Sequence, residues 1–111
     1  MKKQTLLIDQ TGRFHDLLIE SLRNKKKASA YLQLALDEYQ EEGDIEFFLM
    51  ALRNVAEAQG GMGKLAKKTR LNRQHLYNAL SSDGNPRLDT LSTLIQGLGF
   101  HLSIEPLRRN P

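Results

Sequence analysis

Apolar residues recur every three or four positions along most of this chain, and that spacing predicts a series of amphipathic helices. The first helix is expected at about residues 13–23. The second starts near Ala28 and is stopped by Gly43, and the third is capped by Asp44 and ended by Gly60. The apolar stripes of these helices contain Phe14, Leu17, Leu18, Leu22, Ala28, Leu32, Ala35, Tyr39, Phe48, Leu49, Leu52, Val55 and Ala56.

Two short helices and a longer one are predicted next. The short ones are Met62–Thr69 and a helix that starts at Asn72, its expected N-cap, and reaches about Ser81. Residues 81–86 include Gly and Pro and are expected to form a turn. A last helix follows and ends at Gly99. Its apolar face consists of Leu88, Leu91, Leu94, Ile95 and Leu98.

Residues 100–105 alternate between apolar and polar side chains, which is typical of a half-buried β-strand. Because a single strand is not stable alone, it needs a partner. That partner is either residues 5–8, a short strand or a frayed arm, or the same strand of a second copy, which implies a homodimer. The expected fold is therefore all-α, a helix-turn-helix bundle of about five to six helices with a short C-terminal β-strand. Residues 1–43 are expected to be a helical N-terminal extension packed on the same domain as residues 44–106, with residues 107–111 as a tail.

The composition restricts the class of protein. With 111 residues, 40% hydrophobic and 26% charged, the chain is long enough for one compact domain and too short for two. The absence of cysteine excludes a disulfide scaffold and a cysteine nucleophile and favours a cytoplasmic location, and no apolar run is long enough for a signal peptide or a membrane span. The three histidines lack metal-site spacing and no catalytic constellation is evident, so we expect no metal, no cofactor and no enzymatic activity.

Charge is distributed unevenly along the chain. The formal net charge of +3 combines 16 basic and 13 acidic residues. Residues 31–46 contain six acids and no Lys or Arg, whereas residues 62–87 contain six bases and one acid. The protein is therefore expected to present two regions of opposite sign, which suit two different partners.

The basic region has the layout of a helix-turn-helix unit, because its apolar residues fall where two short crossing helices bury them. When Leu76, Ala79 and Leu80 face inward, the opposite side of the second helix is polar. Asn and Gln pair with adenine, and Arg with guanine, in the major groove of DNA. The residues expected to read bases are Arg73, Gln74, Tyr77 and Asn78, and those expected to contact phosphates are Lys64, Lys67, Lys68, Asn72, Ser81 and Arg87. The alternative is an ordinary solvated helix face.

Several motifs, in order along the chain, resemble the addiction-module antidote family, which consists of Xre-like helix-turn-helix antitoxins. They are Gly43, Asp44, residues 55–62, Leu65, Ala66, residues 71–73, Leu76, Tyr77, Leu80, Ser81, residues 84–86, Thr90, Leu91, Leu98, Gly99 and residues 102–106. The resemblance implies a cytoplasmic protein that binds double-stranded operator DNA, represses its own operon and neutralises a cognate toxin, usually a RelE/ParE-like protein. Arg70 departs from the pattern, since many such turns have Gly there, and a left-handed non-Gly residue costs on the order of 1 kcal/mol.

The acidic region has two interpretations. If the toxin is basic, we expect Asp37, Glu38, Glu41 and Glu42 to contact it. The alternative is the solvated end of a helix. For the whole protein, an antitoxin is the main hypothesis, beside a stand-alone helix-turn-helix transcriptional regulator without a toxin and a helical adaptor that binds only proteins.

Overall fold

A computed structural model describes residues 12–107. Six α-helices account for most of them: α1 (Arg13–Ser21), α2 (Lys25–Glu42), α3 (Glu46–Ala58), α4 (Met62–Thr69), α5 (Arg73–Ala79) and α6 (Leu88–Gly97). The all-α class predicted from the periodicity fits this architecture. None of the helices within residues 12–107 is long and apolar enough to cross a membrane.

The helix ends near α2 are set by short polar side chains and a glycine. The side chain of Asn24 accepts a hydrogen bond from the backbone N of Lys27 at 2.9 Å, so α2 begins before the apolar stripe that predicted it. Gly43 adopts a φ of 82° and ends α2, as predicted. Asp44 accepts from the backbone N of Glu46 at 3.0 Å, but Ile45 rather than Asp44 occupies the N-cap position of α3. The predicted cap is therefore displaced by one residue.

The hydrophobic core extends through α2, α3, α4, α5 and α6. α3 contacts α1, α2 and α4, and α4 in turn contacts α5 and α6. The largest fully buried side chains are those of Leu22, Leu49, Leu52, Val55, Leu76, Leu80 and Leu94. α3 and α4 therefore connect the N-terminal helices to the short helix α5. A helix of only two turns is not stable in isolation, so α5 depends on these tertiary contacts.

α6 lies unusually close to α4, and Lys25 of α2 holds its carboxyl end. A Cβ at Gly97 would lie 2.6 Å from Cγ2 of Thr69 and 2.9 Å from Cδ1 of Leu65, so any larger residue would force these side chains to move. Lys25 Nζ donates to the backbone oxygen of Leu98 at 2.8 Å and lies 5.1 Å from the centroid of the Phe100 ring. The ammonium group thus satisfies a terminal carbonyl of α6 and complements the negative end of its dipole.

The β-strand predicted at residues 100–105 is wrong. The part of the chain that the structure describes contains no strand. The backbone N of Phe100 donates to the oxygen of Ile95 at 3.0 Å and closes α6, and residues 101–107 make no backbone hydrogen bond within the described range. Alternating side chains form a strand only where a neighbouring strand supplies a ladder, and residues 12–107 contain no such strand. Residues 5–8, the predicted partner within the chain, lie outside the described residues.

Candidate functional site

The turn between α4 and α5 contains a left-handed arginine. Arg70 follows α4 with φ 61° and ψ 23°, and it is the only non-glycine residue with positive φ within residues 12–107. Thr69 supports the turn, because its hydroxyl donates to the oxygen of Leu65 at 2.8 Å and accepts from the backbone N of Leu71 at 3.3 Å. The left-handed conformation considered for Arg70 is therefore present. α4 and α5 form two short helices joined by a three-residue turn, the layout of a helix-turn-helix unit.

α5 begins where the sequence predicted and ends earlier. The side chain of Asn72 accepts from the backbone N of His75 at 3.1 Å, which confirms it as the cap. The helix stops at Ala79 instead of reaching Ser81. The chain turns back there, and a Cβ at Gly84 would lie 2.3 Å from the carbonyl oxygen of the last helical residue. This close return lies within the turn predicted at residues 81–86, where the backbone N of Gly84 donates to the oxygen of Ser81 at 2.8 Å.

The two sides of α5 differ sharply in exposure. Leu76 and Leu80 are 0% and 1% exposed and lie in the core. The other side is formed by the exposed residues Arg73, Gln74, His75, Tyr77 and Asn78. All four residues expected to read bases are therefore accessible to solvent on one short helix. Their contact with DNA stays a prediction.

The exposed side chains of α5 form two pairs, each four residues apart. Gln74 Nε2 donates to Asn78 Oδ1 at 3.2 Å. The guanidinium carbon of Arg73 lies 6.0 Å from the centroid of the Tyr77 ring, within the range of a cation–π contact. Side chains four residues apart are neighbours on a helix, so both pairs restrict the directions in which these groups point.

The lysines expected to contact phosphates lie on α4. Lys67 and Lys68 are exposed in its last turn, and neither has an ion-pair or side-chain hydrogen-bond partner within residues 12–107. Lys64 is also exposed, but its side chain folds back over Gly60, where a Cβ would lie 2.5 Å from the lysine Cδ. Lys67 and Lys68 are therefore the cations of this helix most available to an anionic partner.

Two other residues expected at phosphates already have partners in the chain. Ser81 Oγ donates to the backbone oxygen of Asn78 at 3.0 Å. Arg87 Nε lies 3.3 Å from Asp89 Oδ1, and both side chains are largely exposed. The hydrogen bond from Arg87 lowers the pKa of the Asp89 carboxyl. A phosphate at Arg87 must therefore compete with this carboxylate.

Arg53 is a candidate positioning residue that the sequence analysis missed. It projects from α3 and donates a hydrogen bond to the backbone oxygen of Leu80, just after α5. It also lines an open groove together with Met50, Glu57 and Tyr77. No periodicity in the sequence indicates a bond between groups 27 residues apart, so only the tertiary structure reveals that α3 holds the carboxyl end of α5.

The acidic residues expected to contact a toxin lie in the second half of α2. Asp37, Glu38, Glu41 and Glu42 are all exposed. Gln33 donates to Asp37 at 3.0 Å, and none of the four acids forms an ion pair within the described part of the chain. Acids at the carboxyl end of a helix are repelled by its dipole, so this arrangement costs the free protein some stability.

The fold and this surface define a small all-α protein with a helix-turn-helix layout and an exposed polar side on α5. The family model described as "Probable addiction module antidote protein" matches residues 13–106, and the chain belongs to this family. The resemblance identified from short motifs is thereby confirmed, and the match also includes α1. Membership implies a cognate toxin as partner.

A relative supports the same relationship. An "Uncharacterized protein" of Haemophilus influenzae is 34% identical over 77 residues, which cover 69% of this chain and 78% of that protein. No solved structure matches this chain.

Proposed function

We propose that this antidote protein binds the DNA of its own operon through α5, represses that operon, and neutralises a RelE/ParE-like toxin. The observation that carries the DNA-binding part is the contrast between the two sides of α5. Leu76 and Leu80 anchor the helix in the core, while Arg73, Gln74, Tyr77 and Asn78 offer donors and acceptors to solvent. A rigidly held helix with an exposed row of amides and an arginine suits the major groove.

Capture of DNA is proposed to begin with phosphates. Lys67 and Lys68 have no ion-pair partner within residues 12–107, so they bind phosphates without first breaking an ion pair there. Each neutralised phosphate releases counterions, which supplies affinity but no sequence information. Lys64, Asn72, Ser81 and Arg87 are proposed to add contacts that fix the register of α5. Base choice then falls to the side chains on α5.

A binding titration with two duplexes tests this proposal. One duplex carries the promoter upstream of the protein's own gene, the other has the same bases scrambled, and both are titrated at several salt concentrations. We expect Lys67→Ala to weaken both duplexes alike and to reduce the salt slope by about one. Lys26→Ala is the matched control, since Lys26 is an exposed lysine of α2 with no ion-pair partner among the described residues. Equal affinity of the wild type for both duplexes, independent of salt, would refute the proposal.

The toxin is proposed to bind at the acidic end of α2. A basic partner relieves the repulsion between Glu38, Glu41 and the helix dipole, so a cationic RNA-directed toxin has a physical reason to bind there. The test is co-expression with the product of the adjacent gene, followed by pull-down. Glu41→Lys is expected to weaken capture strongly, whereas Asp83→Lys, the same charge change in the turn after α5, is the control. Unchanged capture by Glu41→Lys would reject this surface.

A homodimer is proposed to form through residues 100–107. Leu102, Ile104 and Leu107 are 38%, 98% and 78% exposed, and the backbone of residues 101–107 has no partner within the described chain. Apolar exposure of this kind favours association with a second copy. Sedimentation equilibrium of the wild type and of Ile104→Asp measures it: the variant is expected to lose the dimer, and a monomeric wild type would reject the proposal.

We further propose that the protein acts in the cytoplasm and has no catalytic role, with residues 44–106 as the DNA-binding part and residues 1–43 as an extension. Family membership favours an antitoxin over a stand-alone regulator. The gene adjacent to this one decides between them, because an antitoxin is encoded beside its toxin.

A further inference from the structure

The two exposed amides of α5 are joined to each other. Gln74 Nε2 donates to Asn78 Oδ1 at 3.2 Å, and both side chains are exposed. If the two side chains were independent, each could contact a different base. A hydrogen bond between the side chains instead makes the position of each depend on the other.

The positions of the two residues on α5 give them different roles. An amide has one carbonyl oxygen and two N–H groups. After one N–H is used on Asn78, Gln74 keeps its oxygen and a second N–H, the set that pairs with N6 and N7 of adenine. Asn78 keeps a comparable set, but Gln74 lies in the first turn of α5, and the N-terminal residues of a recognition helix are those that contact base edges. The bond to Asn78 Oδ1 restrains the side chain of Gln74.

We infer that Gln74 and Asn78 form a single adenine reader, in which Gln74 contacts the base and Asn78 is a positioning residue. This inference rests on the proposed binding of DNA by α5. An exposed glutamine on a surface helix otherwise loses side-chain freedom on binding, and holding it in advance is expected to improve affinity about 2- to 12-fold. Specificity at that base pair comes from Gln74 alone.

The test uses the full chain and duplexes selected from a randomised pool by binding to the wild type. Each adenine of the selected duplex is then replaced in turn by 7-deazaadenine, which lacks the N7 acceptor. We expect one replacement to weaken the wild type and to have no effect on Gln74→Ala, whose affinity for the unmodified duplex falls about 5- to 150-fold. His75→Ala, an exposed residue of the same helix, is the control and keeps the wild-type ratio.

Variants of Asn78 separate positioning from direct reading. Asn78→Ala is expected to reduce the ratio of affinities for adenine and 7-deazaadenine at the position that Gln74 reads, and at no other. Asn78→Asp keeps the accepting oxygen, so it is expected to restore that ratio even though its negative charge lowers affinity for every duplex. Losses in the Gln74→Ala and Asn78→Ala double variant are expected to be far from additive.

Three results would overturn the inference. The first is that Gln74→Ala and Asn78→Ala abolish the effect of 7-deazaadenine at different positions, and the second is that their affinity losses add in the double variant. The third is that Asn78→Asp has the same ratio of affinities for adenine and 7-deazaadenine as Asn78→Ala. Failure of the proposed function gives a different pattern. If the wild type enriches no duplex and shows no salt-dependent binding, DNA binding itself is wrong and the inference falls with it. If a duplex is enriched but no 7-deazaadenine position matters, DNA binding stands and the adenine reader is rejected.

Discussion

Replacing Arg70 by glycine is expected to stabilise the protein. Arg70 is exposed and has a φ of 61°, so the substitution removes backbone strain without removing buried packing. A Cβ in the left-handed conformation costs roughly 1–2 kcal/mol. The larger freedom of glycine in the unfolded chain offsets about 0.5–1 kcal/mol of that gain. The net increase in the free energy of unfolding is about 0.75 kcal/mol, a rise in Tm of about 3–6 °C for a domain of this size.

Arg70→Ala is the matched control, because it removes the same charge and aliphatic stem but keeps the Cβ. Thermal unfolding of the three proteins, followed by far-ultraviolet circular dichroism, measures the difference. The alanine variant is expected within about 0.5 kcal/mol of the wild type, as for other exposed substitutions. A glycine variant no more stable than the alanine variant would refute the claim that the turn stores Cβ strain.

Three further substitutions test contacts elsewhere in the fold by unfolding measurements. Lys25→Met removes the hydrogen bond to α6 and is expected to lower the free energy of unfolding by about 1–2 kcal/mol more than Lys26→Met does. Lys26→Met is the control, because it removes a charge at the same end of α2 but does not remove this hydrogen bond. Equal losses in the two variants would contradict the capping role of Lys25. Gly97→Ala forces a Cβ to within 2.6 Å of α4 and is expected to cost about 1–3 kcal/mol, so a more stable variant would show that the contact relaxes easily. Because Arg87 lowers the pKa of Asp89 from 3.8, the ionised pair stabilises the fold above that pH, and the stabilisation is lost as the pH falls through the lower folded-state value. Asp89→Asn is therefore expected to flatten the acid dependence of stability below about pH 3.8, and an unchanged dependence would show that the pair contributes nothing.

The short-range features of the candidate site were predictable because they depend on neighbouring residues. Asn72 caps α5, as its residue type and position indicated. The left-handed conformation of Arg70 occurs in the short turn that joins α4 to α5. The helical periodicity that placed Leu76 on the buried side of α5 also placed Gln74 and Asn78 on the exposed side, as the structure shows. The hydrogen bond between these two amides is also a local contact, because the residues are four positions apart, but it was not predicted.

The contacts that position the site were not predictable, because they join residues far apart in the chain. Arg53 reaches the carbonyl of Leu80 across 27 positions, and Lys25 reaches Leu98 across 73. No periodicity carries such information.

By itself the sequence determined the six helices of residues 12–107, most of their ends and the polar side of α5. Helix formation, capping and amphipathicity depend on residues within a few positions of each other. Only the tertiary structure decided how α6 meets α4, which distant side chains hold α5 and α6 in place, and that residues 100–105 form no strand. A strand needs a partner to complete its hydrogen bonds, and alternation along one segment carries no information about whether that partner is present.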